Sequence, residues 1–67
     1  MNLHDLSRII AARKGVASVC LEPERLLITV ETESDGEEMI DTVFVLLQDE
    51  FSTVWNPGHR TVVVVRR

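Results

Sequence analysis

The sequence predicts an α+β domain, a two-layer αββαββ sandwich, and three observations predict it. The apolar period changes from 3.6 to 2 residues and back along the chain. Two alternating runs flank a short proline-containing turn, which marks a hairpin. Four consecutive valines, Val62 to Val65, suit the interior of a sheet rather than its edge. With 67 residues there is room for one domain, residues 1–67.

Residues 3–13 form the first predicted helix. Leu3, Leu6 and Ile10 recur at helical spacing with Ile9 beside them. Asn2 is placed to cap the helix, Asp5 and the Arg13-Lys14 pair suit the two ends of its dipole, and Gly15 suits its termination. Residues 16–22 then alternate, with Ala17, Val19 and Leu21 on one side and Ser18, Cys20 and Glu22 on the other. The turn Glu22-Pro23-Glu24-Arg25 leads into a second strand over 26–32, where Leu26, Ile28 and Val30 alternate with Leu27, Thr29 and Glu31.

The second helix is expected over 37–50. Ser34 with Glu37, or Asp35 with Glu38, supplies a capping box, and Ile40, Val43, Phe44, Leu47 and Phe51 repeat at three- and four-residue steps. Strands over 52–56 and 60–66 follow, joined by Asn56-Pro57-Gly58-His59, whose Pro-Gly pair fits the centre of a type II turn. The core is expected to hold Leu6, Ile10, Val19, Leu21, Ile28, Val30, Ile40, Val43, Phe44 and Leu47.

The valine run helps fix the expected topology, the main alternative being the same elements in sequential strand order. If the second helix crosses right-handedly from strand 2 to strand 3 and leaves a gap, strand 4 can return into it. The sheet order is then 3-4-2-1, antiparallel throughout, with two helices on one face. That is a ferredoxin-like sandwich with a permuted strand order. The stretch from Gly15-Val16-Ala17-Ser18-Val19 through Val30 resembles, in its helix-to-hairpin pattern, the middle of heavy-metal-associated domains of that fold. The resemblance is architectural, because the metal-binding Cys-x-x-Cys of that family is absent.

Composition narrows the function classes. Apolar residues at 45% and charged residues at 27% are ordinary for a globular domain. No apolar run approaches the ~20 residues of a membrane span. The single cysteine excludes an internal disulfide, and no basic start leads into an apolar stretch, so a cytoplasmic protein is expected. Residues 22–50 hold ten of the eleven carboxylates against one arginine, Arg25, while both ends of the chain are basic. A solvated acidic helix explains that block as well as an acidic face for a basic partner does.

Candidate chemistry is sparse. His4, His59 and Cys20 show no metal-ligand spacing, and Cys20 lies within an alternating run where a thiol usually acts as a small hydrophobe. Glu37-Glu38 and Asp49-Glu50 are adjacent pairs, and neighbours on a helix point about 100° apart, so neither forms an acid/base dyad. Gly36 and Gly58 are isolated and open no phosphate loop. The strands carry one aromatic suited to base stacking, Trp55, and the net charge of −4 disfavours direct nucleic-acid binding. No enzyme and no cofactor is expected.

Protein binding is the leading expectation. The helix-free face is expected to carry Cys20, Leu27, one alternate set of the valine run (Val63 and Val65) and either Trp55 or Val54, and Leu27, Trp55, Val63 and Val65 are expected at the contact itself. Its expected partner is another protein of unspecified identity, and a homodimer with a second copy of the chain is expected as well. The bland reading is an exposed sheet with scattered apolar residues. The alternative working surface is the acidic helix at Glu37, Glu38 and Asp41, as in small inhibitors of phage or mobile elements that block a basic groove meant for nucleic acid.

Overall fold

The computed structural model describes residues 2–47 and 50–66, with the side chains of Leu46 and Leu47 outside the description. The elements run α1 (Leu3–Ala11), β1 (Val16–Leu21), β2 (Arg25–Val30), α2 (Glu33–Leu47), β3 (Phe51–Asn56) and β4 (Thr61–Arg66). All strand neighbours are antiparallel, in the order β1-β2-β4-β3. Counted from the β3 edge, this order is 3-4-2-1.

Local chemistry sets the element ends. The Asn2 side chain accepts from the Asp5 amide at 2.8 Å and opens α1. The helix stops at Ala11, two residues short of the expected end at Arg13, and Gly15 turns the chain at φ +89°. A Cβ at Gly15 would meet Asp35 Oδ1 at 2.5 Å, so the glycine serves both the left-handed backbone and the approach of α2. Glu31 then donates its amide to Gly15 O at 2.9 Å, where the chain leaves β2.

The start of α2 corrects the expected capping. Thr32 Oγ1, rather than Ser34 or Asp35, accepts from the Asp35 amide at 3.1 Å and donates to Asp35 Oδ2 at 2.8 Å. This threonine–aspartate box begins the helix at Glu33, four residues before the expected start, and β2 ends at Val30. Residues 48 and 49, expected at the helix end, lie outside the described residues. Phe51 is no part of the helical stripe. It opens β3, is buried, and has the Arg66 guanidinium 5.3 Å from its ring centroid.

The last turn is also corrected. His59 N–H donates to Asn56 O and Arg60 N–H to Pro57 O, both at 3.3 Å. The residue with positive φ is Arg60, at 50°, and not Gly58, so the Pro-Gly pair does not make a type II turn. Arg60 Nη1 donates to Glu31 O at 2.9 Å, a charge-assisted bond that ties the strained residue to the end of β2.

The core lies on one side of the sheet. Leu3, Leu6 and Ile10 of α1 and Met39 and Val43 of α2 join Leu26, Ile28, Val30, Phe51, Val62 and Val64 in one cluster. Those strand residues fall on the same face under the observed register, so both helices cover that face. Of the expected core, Val19 and Ile40 are half-buried against the cluster, and the Leu47 side chain lies outside the described residues.

Two expected core residues are not in the core. Leu21, at the end of edge strand β1, is 44% exposed. Phe44 is 60% exposed. The face of α2 that meets the sheet is Gly36, Met39 and Val43, and Phe44 lies about 100° around the helix from Val43. A Cβ at Gly36 would overlap the outer edge of the Trp55 indole, so that glycine gives the ring its seat and sets the rotation of the helix.

Candidate functional site

The face of the sheet away from the helices is assembled by strand register. Cys20 pairs with Leu27, Leu27 with Val63, and Val63 with Val54, which makes an apolar row across all four strands. On one side of it, toward the β1–β2 turn, lies Arg25–Val65–Ser52. On the other lies Ser18–Thr29–Thr61–Asn56. Leu27, Val63 and Val65 are half-buried by their neighbours, whereas Cys20 and Val54 at the two edges are exposed, Val54 to 59%. Among the described residues, no helix or loop covers these rows.

Within the three rows Arg25 is the one charged side chain, and its Nε is paired with Glu22 Oε1. That ion pair is partly exposed and holds the arginine toward the turn end of the face. The β1 edge carries a bulge between Val16 and Ser18, a feature that discourages edge-to-edge pairing. The sheet therefore presents its broad face more readily than its β1 edge.

Leu27, Val63 and Val65 thus lie together on the helix-free face. Trp55 does not join them. It pairs with Val62 and packs half-buried against the core cluster, on the helix side. Val54 takes the outward position that Trp55 was an alternative for. Sequence alternation in Ser52-Thr53-Val54-Trp55 allows either phase, and the phase is set by Phe51, which must enter the core.

The second candidate surface is the outer side of α2. Glu37, Glu38 and Asp41 are exposed along it, and Phe44 and Val45 extend it, with Val45 70% exposed. Their angular positions span about a third of the helix circumference, opposite Gly36, Met39 and Val43. The sequence does not mark the apolar part of this surface, because Phe44 fits the periodic stripe as well as Met39 does.

Among the described residues, no group of three His, Cys, Asp or Glu side chains is placed to hold a metal ion. A hollow of about 220 Å³ between the end of α1 and α2 is lined by Arg13, Lys14, Asp35, Glu38, Met39 and Thr42. Its walls mix charges and bring no nucleophile and base together. Among the described residues, no helix is long and apolar enough to cross a membrane. No protein-family model, curated protein or solved structure matches the chain.

Proposed function

We propose that this chain is a small, non-enzymatic protein-interaction module that associates with a second copy of itself through the helix-free face of its sheet. Its architecture is read as a ferredoxin-like sandwich with permuted strand order. The observation that carries the proposal is the apolar row Cys20, Leu27, Val63 and Val54, continuous across four strands with Val65 beside it.

Size and charge support it. Four strands spaced ~4.8 Å apart and six residues long give roughly 380 Å² of projected sheet. Two such faces in contact remove on the order of 1,000 Å² from water, which reaches the lower range of specific interfaces. A domain this small buries only about 60% of its unfolded surface and gains stability from association. The net charge is −4, yet the carboxylates of α2 lie on the other side of the molecule and stay apart in such a dimer.

Leu27→Arg tests the proposal. Sedimentation should give a dimer for the natural chain, weakened by more than ~2 kcal/mol in the variant, because a charge is then buried without a partner. A natural chain that stays monomeric at hundreds of micromolar, or a dimer indifferent to Leu27→Arg, refutes it.

One observation favours a second reading: Phe44 and Val45 stand exposed beside Glu37, Glu38 and Asp41. An acidic helix with an apolar end fits a basic groove that otherwise takes nucleic acid. Binding of that kind weakens steeply with salt, and is lost in Glu37→Lys/Asp41→Lys without a change in oligomeric state. Salt-insensitive capture that survives both substitutions counts against it.

A further inference from the structure

Resting on the self-association proposed above, the position of Arg25 selects how two helix-free faces meet. Two arrangements related by a two-fold axis in the plane of contact keep the apolar middle row against an apolar middle row. With the axis along the strands, each row lies over its own counterpart. Arg25 then sits over Val65 of the second copy, and the two arginines share one end of the contact. With the axis across the strands, the order of rows is reversed in the second copy. The middle row still meets itself, and Arg25 lies over the polar row that contains Thr29 and Thr61.

These arrangements differ in cost. Setting the Arg25–Glu22 pair on a valine takes the guanidinium's other N–H groups out of water with no acceptor in return, twice over. Setting it on threonine hydroxyls supplies acceptors, and leaves the two arginines at opposite ends of the contact. We propose that the second copy docks with the two-fold axis across the strands, so that Leu27 meets Leu27 of the second copy and Cys20 meets Cys20 of the second copy.

The geometry gives different thiol separations. Facing sheets lie about 10 Å apart, which is then the backbone separation of the two Cys20 residues. With the axis along the strands, Cys20 instead lies over Val54 of the second copy. The two cysteines are then roughly 17 Å apart, because the width of the sheet separates them as well.

A two-carbon bismaleimide applied to the natural chain reads this difference, alongside sedimentation of the same sample. The expected result is a dimer in solution and a covalent Cys20–Cys20 product, absent from Leu27→Arg and undiminished on dilution within the dimeric range. The variant Val54→Cys adds an independent arm, with a second thiol at the opposite edge of the sheet. The proposed axis predicts links that join like positions, Cys20 to Cys20 and one introduced thiol to the other. The axis along the strands predicts links that join Cys20 to the introduced thiol of the second copy. A dimer that yields only these mixed links overturns the axis and leaves self-association standing. A monomer in sedimentation overturns both.

Discussion

The two faces of the sheet are cut from the same strands, yet they meet different surroundings. In β4, Val62 and Val64 are fully buried beneath the helices, while Val63 and Val65, alternating with them, are only half-buried on the other side. Residue type does not distinguish the faces there. What distinguishes them is the register with β2, where Leu26, Ile28 and Val30 alternate with Leu27 and Thr29. A uniform strand takes its inside and outside from a patterned neighbour. Its outward side remains as apolar as its inward side, which is a hazard for a solitary domain and an asset for an associating one.

The largest expected effect breaks this comparison directly. Val64→Asp should abolish folding, because an unpaired buried carboxylate costs several kcal/mol against a total stability of roughly 5 kcal/mol. Val63→Asp, one residue away, should leave the monomer folded, within ~1 kcal/mol of the natural chain at concentrations below association. Circular dichroism melts of the two variants check the pair. Equal losses would mean that the helix-free face is core-like even in the monomer.

A smaller effect sharpens the account of how α2 sits on the covered face. Alanine in place of glycine within a helix ordinarily stabilises by ~1 kcal/mol. At Gly36 the added methyl overlaps Trp55, and overpacking of that kind costs ~1–3 kcal/mol. Gly36→Ala should therefore be neutral to destabilising by ~2 kcal/mol in urea denaturation, with Trp55 emission shifted to the red as the ring is displaced toward water. A gain of ~1 kcal/mol with unchanged emission would mean that Gly36 is not the seat of the indole.

Much of the fold was legible because period and punctuation agree. Asn2 and Gly15 bracket α1, Pro23 marks the hairpin, and the valine run identifies an interior strand. The rotation of α2 was not legible. Met39, Ile40, Val43, Phe44, Val45, Leu46 and Leu47 are apolar around most of the helix, so the pattern alone selects no centre. The choice comes from a tertiary contact, the indole of Trp55 on Gly36, between residues nineteen apart in sequence. The inward phase of β3, set by Phe51, removed Trp55 from the candidate interface, while Leu27, Val63 and Val65 kept their shared face because strand alternation fixes it.

The smallest expected effect is the sharpest test of that rotation. A fully buried phenylalanine truncated to alanine loses roughly 3–5 kcal/mol. At 60% exposure Phe44 has little burial to lose, and alanine is the better helix former, so Phe44→Ala should stay within ~0.5 kcal/mol of the natural chain. Met39→Ala is the matched control. Met39 is buried in the cluster, and its truncation should cost ~2–5 kcal/mol. Urea midpoints of the two variants, measured side by side, give the rotation of α2 without further structural work. If Phe44→Ala is the costly one, the helix is turned toward the stripe of Ile40, Val43 and Phe44, and the exposed apolar end of the acidic surface disappears with it.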